Sequence, residues 1–303
     1  MSSRPDPHIP LVGFSRGMYS NWLWHRPLHL LIDAGEGLQL ALGTSVYAPD
    51  VLAITHGHSD HVLGLPGLVA ARRFGKGAQD KPLTIVYPDG SRGVRGVRAL
   101  LDTSYAGVSF PITWIGVGPG ASVPIAKGRH LEAFAVDHTG GGPALGYRVI
   151  EQRRRLRPEF ASLPAAEIER RARAGDREAM TEAVPHVLFG HSGDAMPIPV
   201  DLVRHADLLV HDATFLDVAD RREPIHAGTL EALAVAREAG VRALVLHHLS
   251  IRYDRGTALH MLRAQTAESG FKGAAWLLDG SEFWPLSQPS QVRSERGKGR
   301  SQP

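Results

Sequence analysis

The sequence predicts an α+β protein built from two sheets packed face to face with helices outside. Three observations predict this. Short apolar runs of strand length dominate the first half of the 303 residues. Strand-length runs alternate with helical periodicity in the second half. Histidine and aspartate recur just after the apolar runs, which places a site along one rim of the sheets.

The elements follow in order. Residues 28–33 read as a buried strand, stopped by Ala34-Gly35-Glu36-Gly37. Residues 51–55 form a second one. A helix follows, capped by Ser59 or Asp60, with Pro66 delaying or kinking it. Residues 83–87 are a strand closed by Pro88-Asp89-Gly90. A helix at 94–101 carries Val94, Val97, Leu100 and Leu101 on one face. Strands follow at 112–117, 131–136 and 146–150. From 151 to 182 the chain turns rich in Arg, Glu and Ala, and 165–173 predicts a charged, solvated helix. Strands resume at 187–189 and 208–210. A helix at 230–239 ends on Gly240. A strand at 241–246, a helix at 257–266 and a strand at 274–278 complete the pattern. The organisation is one domain over 1–286, with 151–183 as an Arg-rich insertion or arm and 287–303 as a disordered basic tail.

Composition narrows the chemistry. Apolar residues make up 43% of the chain, enough for a sizeable core. Cysteine is absent, which excludes disulfides, thiolate metal sites and cysteine nucleophiles and fits a cytoplasmic location. The polar, proline-broken start is unlike a signal peptide, and no run is long and apolar enough for a membrane span. The net charge of +3 and pI of about 9.3 allow a polyanionic partner without demanding one. Arginines concentrate at 153–157 and 170–177.

The strongest motif is Thr55-His56-Gly57-His58-Ser59-Asp60-His61, directly after Val51-Leu52-Ala53-Ile54. Imidazole and carboxylate are the ligands a divalent transition metal takes when no thiolate is offered. The His-x-His pair suits one ion and the Asp-His pair a second. Packing alone gives no reason to gather these residue types. A two-metal centre needs further ligands, and His138, Asp194 and His248 each lie at the end of an apolar run.

Ile54-Thr-His-Gly-His-Ser-Asp-His61 with Leu63-Gly-Leu-Pro-Gly-Leu68 resembles the metallo-β-lactamase superfamily. Within it the chain is similar to ribonuclease Z, the endonuclease that trims the 3′ end of precursor tRNA. The resemblance continues at Asp33-Ala-Gly-Glu-Gly37, Gly146-Tyr-Arg-Val149, Ser192-Gly-Asp194, His211-Asp-Ala-Thr-Phe215, His226 and Leu246-His-His-Leu-Ser-Ile-Arg-Tyr253. It implies a four-layer αββα sandwich, two divalent ions (zinc expected, manganese the other candidate) and a homodimer. It also implies that His56, His58 and His138 hold one metal, that Asp60, His61 and His248 hold the other, and that Asp194 bridges them.

Two cations sharing a hydroxide make a nucleophile at neutral pH. Asp60 can accept the proton of the attacking water. His226, supported by Asp212, is the candidate proton donor to the leaving 3′-hydroxyl. Arg252 suits a phosphate oxygen, with Ser250 beside it. Asp33 and Asp212 are placed to orient ligand histidines. The chain departs from the family pattern in having Ala195 after Asp194, His247 before His248, Asp212 where glutamate is usual, and the Arg-rich 151–183 in place of a Gly/Pro/Lys-rich arm. Two substrates remain open on these residues: precursor tRNA, or a small phosphodiester or ester on the same scaffold without tRNA activity.

Overall fold

Alternation along short strands decides the layers. In the computed structural model, residues 9–75, 80–104, 110–138 and 142–287 are described; the basic tail predicted at 287–303 lies, beyond Ser287, outside them. Among the described residues one sheet runs in the order β1 (Leu11–Arg16), β2 (Ser20–His25), β3 (Leu30–Ile32), β4 (Val51–Ala53), β5 (Leu83–Pro88), β6 (Ile112–Val117). The other holds, side by side in chain order, β7 (Ser122–Ala126), β8 (Arg129–Ala135), β9 (Leu145–Leu156), β10 (Thr181–His191), β11 (Leu208–Asp212), β12 (Ala243–His247), β13 (Ala274–Asp279) and β14 (Glu282–Pro285). β3 to β6 pair in parallel, as do β10 to β13.

Leu30, Ile32, Val51 and Ala53 point inward and meet Tyr147, Phe189, Val245 and Trp276 between the sheets. Leu31, Leu52 and Ile85 point outward onto three helices, α1 (Leu38–Leu42), α3 (Leu65–Phe74) and α4 (Arg92–Ser104); the short α2 (Ser59–Val62) lies before α3. On the far face Leu209, Leu244, Leu246 and Leu277 pack on α7 (Thr229–Ala239) and α8 (Arg255–Glu268). Three apolar layers between four structural ones give the αββα sandwich. Leu52 is fully buried in it, so Leu52→Ala costs about 3 kcal/mol.

Several predicted elements are corrected by the structure. Residues 26–28 form a 3-10 turn with Pro27 in it, so the strand starts only at Leu30. The helix expected to be capped by Ser59 or Asp60 is α2, and it is capped at His58 with no side-chain bond, which leaves Asp60 free for the rim. The predicted helix is interrupted between Val62 and Leu65, and Pro66 sits in the first turn of α3, where its missing N–H costs nothing. Leu100 is half exposed, and α4 buries Val94, Val97 and Leu101 instead. β1, β2, β7 and β14 carry no clear local signature and are found only in the fold.

The 151–183 segment is a projecting ribbon. β9 and β10 continue pairing from Glu151↔His186 out to Leu156↔Thr181. A 3-10 turn, α5 (Ala165–Arg173) and α6 (Arg177–Met180) close its end. The predicted charged helix is there, with no residue buried. No helix among the described residues is long and apolar enough to cross a membrane.

Candidate metal centre

Parallel strands that end together put their following residues in one place, at the carboxyl rim. β4 ends at Ala53, and the chain beyond carries His56 and His58 before α2 delivers Asp60 and His61 from its first turn. His138 follows β8. Asp194 follows β10 across Gly193, whose φ of 64° is left-handed and whose hydrogen faces Thr55 and the Leu145 carbonyl, where a Cβ would crowd. His248 follows β12 with φ also 64°, its N–H donated to Ser15 Oγ at 2.8 Å.

The structure brings together all seven metal-competent residues predicted from sequence. Donor atoms of His56, His58 and His138 lie within 4.8 Å of one another, as do those of Asp60, His61 and His248. Asp194 meets both groups. Its Oδ2 is 3.7 Å from His56 Nε2, 3.3 Å from His61 Nε2 and 3.0 Å from His248 Nε2. His247 is left out of these groupings; it turns between the sheets, its ring 4.8 Å from that of His191.

Four of the five metal-competent rings, those of His56, His61, His138 and His248, are held from behind, whereas His58 Nδ1 lies 3.3 Å from His138 Nε2. Asp33 Oδ2 takes His61 Nδ1 at 2.8 Å and Thr55 Oγ1 at 2.8 Å. Thr55 Oγ1 lies 3.0 Å from His56 Nδ1, the Ile225 carbonyl 3.2 Å from His138 Nδ1, and Thr214 Oγ1 2.9 Å from His248 Nδ1. With Nδ1 engaged, these rings are fixed in orientation with Nε2 as the remaining donor. Asp33 thus orients a predicted ligand, as expected. Sequence reasoning missed Asn21, which donates to Asp60 Oδ2 at 2.9 Å, and Ser15, which donates to Asn21 Oδ1 at 2.7 Å. Both lie on β1 and β2, far from any motif.

The donors fit a divalent cation. His56 Nε2, Asp194 Oδ1 and His248 Nε2 are buried without a hydrogen bond, a costly arrangement unless an ion is the partner. Burial pushes the His56, His58 and His138 imidazoles below their ordinary range. Burial opposes protonation of His61 and His248 as well, yet the Asp194 carboxylate and its neighbours hold His61 well above its ordinary value and His248 up to about 10. The region around Asp194 therefore favours positive charge.

Comparison with known proteins identifies the family. A beta-lactamase superfamily domain matches residues 29–174. The ribonuclease Z of Natronomonas pharaonis is 35% identical over 74% of this chain and 78% of its own. That of Gemmatimonas aurantiaca is 32% identical over 84% and 86%. The chain belongs to the ribonuclease Z family. Among solved structures, the short form of human tRNase Z shares the fold, with a TM-score of 0.60 and 21% identity over 80% of this chain and 93% of that one.

In this member of the ribonuclease Z family, His226 stands beside the metal-competent cluster. Its ring stacks on His248 at 4.9 Å and meets His138 edge-on at 5.1 Å. Asp212 Oδ2 takes His226 Nδ1 at 2.7 Å, so the shorter acid reaches. The same oxygen accepts the Ala195 N–H, and Oδ1 accepts the Thr214 N–H and hydroxyl. Arg252 is exposed at the rim, over the Phe215 ring and bonded to the Asp220 carbonyl; among the described residues it has no carboxylate partner. Ser250 is anchored by its N–H to the Thr214 carbonyl, and its hydroxyl accepts the Arg252 N–H at 3.4 Å.

Proposed function

We propose that the protein is a metal-dependent endoribonuclease that removes the 3′ trailer of precursor tRNA. The observation that carries this reading is the convergence of seven metal-competent side chains on one rim, with a His226–Asp212 pair beside them, in a chain of the ribonuclease Z family. His56, His58 and His138 would hold one ion and Asp60, His61 and His248 a second, with Asp194 within reach of both groups. Two divalent ions held there, zinc the first candidate, would supply a nucleophile at neutral pH and charge neutralisation at the phosphoryl oxygens.

The chain's own residues do the rest. Asp60, fixed by Asn21, accepts a proton from the attacking water. His226 donates a proton to the departing 3′-oxygen, and Asp212 holds it in the tautomer that leaves Nε2 toward substrate. Arg252, which has no carboxylate partner among the described residues, pairs with a phosphate oxygen, with Ser250 holding its backbone N–H. Arginines of the 151–183 ribbon contact the tRNA backbone away from the cut. The family resemblance supports a homodimer, and the cysteine-free composition a cytoplasmic enzyme.

Metal-loaded protein is to be incubated with a 3′-extended precursor tRNA and, separately, with small phosphodiesters. The expected outcome is a single cut leaving a tRNA 3′-hydroxyl. Hydrolysis of the small esters with no cut in the precursor would refute the tRNA assignment. Metal analysis after purification without added ions tests zinc, and sedimentation tests the dimer.

A further inference from the structure

The turn between β1 and β2 leans on the candidate metal centre. Gly17 N–H donates to the Leu249 carbonyl at 3.2 Å, and a Cβ on Gly17 would come within 3.3 Å of the His248 ring. The next two residues are large, apolar and open to solvent: Met18 is 78% exposed and Tyr19 63%. Met18 takes a left-handed φ of 67°, an unfavourable conformation for its side chain, and Tyr19 N–H closes the turn onto the Arg16 carbonyl at 3.1 Å. The turn is tied down on both flanks. Arg16 pairs with Asp279 at 2.6 Å and donates to the Tyr253 carbonyl, while Ser20 donates to the Glu36 carbonyl. An exposed aromatic ring on a braced turn, with no ring or hydroxyl partner among the described residues, is a surface built to meet something flat.

We infer that Tyr19, with Met18 beside it, is the stacking platform for the first trailer nucleobase next to the scissile phosphate. This rests on the proposed function. The position selects the base. His226, which protonates the tRNA-side oxygen, approaches His248 from the Phe215 side. The hairpin that carries the turn belongs to the other sheet, and its Asn21 donates to Asp60, the residue on the side of the attacking water, opposite the leaving oxygen. A base leaving the centre on that side belongs to the trailer, which keeps the phosphate. Every base has a π-face, so such a platform tolerates any trailer sequence. Tyr19 touches no reacting atom and acts as a positioning residue.

The test is a cycle between Tyr19→Ala and a precursor tRNA carrying an abasic first trailer nucleotide. On the normal precursor Tyr19→Ala is expected to raise KM roughly tenfold with kcat nearly unchanged. Tyr19→Trp restores KM, whereas Tyr19→Leu does not. On the abasic precursor wild type shows the same loss, and Tyr19→Ala adds nothing further. Metal stoichiometry and melting temperature of the variants confirm an intact centre. With 2-aminopurine at that position, wild type quenches its fluorescence on binding and Tyr19→Ala does not. Efficient wild-type cleavage that is indifferent to the abasic site overturns the platform and leaves the endonuclease standing; so does quenching only when 2-aminopurine is on the tRNA side of the cut. Absence of cleavage by wild type overturns both.

Discussion

The rim cluster and the 151–183 ribbon both concentrate charged or ionisable residues, yet they spend them differently. At the rim, His56, His61, Asp194 and His248 are each at most 5% exposed, and every one is aimed by a partner or by the backbone. In the ribbon, eight arginines face seven carboxylates, so the surplus is a single charge. Arg170 and Arg171 are clamped on Glu167, and Arg173 lies near Glu169. Among the described ribbon arginines, only the guanidinium groups of Arg155 and Arg177 show neither a carboxylate partner nor a hydrogen bond. Burial makes each rim residue irreplaceable, because an unmatched donor there has no water to turn to. Exposure makes ribbon residues interchangeable, because solvent screens each pair.

The largest break of this contrast is at Asp60. Asp60→Ala is expected to lower turnover about 10³-fold while the fold survives, since the residue is on a partly exposed helical turn. Rates within tenfold of wild type would remove its role. Asp33→Asn touches no substrate, yet it loosens His61 and should weaken metal affinity about 10- to 100-fold in a chelator competition. Unchanged affinity would show that the rim does not depend on its supports.

A pH series sharpens the same contrast at two groups away from the centre. Burial pushes His25 down to about 4, and its Nδ1 has no partner. The unfolded chain takes up that proton near 6.5 and the folded chain only near 4. Between those values the unfolded state holds more protons, so stability falls as the pH falls, by on the order of 3 kcal/mol across the window. His25→Gln should flatten urea-unfolding stability over that range relative to wild type; an identical slope contradicts it. Hydrogen bonds from Arg170 and Arg171 pull Glu167 down to about 2, a similar displacement, but it stands in solvent. Glu167→Gln should leave stability unaltered across its own window, from pH 4.5 down to about 2.

The smallest effect belongs to the ribbon. Arg155→Glu with Arg177→Glu is expected to reduce the slope of log tRNA affinity against log salt by about two, one per lost phosphate contact. Arg170→Glu with Arg171→Glu should change it less, since those guanidinium groups already serve Glu167. Equal losses from both pairs would mean that the internal ion pairs open on RNA.

Much of the centre could be read from the chain itself, because its signals are local. An apolar strand followed by His-x-His-x-Asp-His states its chemistry within a few residues, and Gly240 ends α7 by a left-handed turn as composition predicts. The separate positions of His138, Asp194 and His248 were legible only as strand ends. Their meeting depends on parallel strands finishing at one rim. The choice between His247 and His248 shows where local reading stops. Strand alternation turns His247 inward between the sheets, and the left-handed φ of His248 itself then swings its ring to the centre. That conformation is secured by Ser15, 233 residues away in the chain. The sequence by itself determined which atoms can bind a cation. Tertiary structure decided which of them face it, because a ring's direction is set by hydrogen bonds from strands that carry no motif of their own.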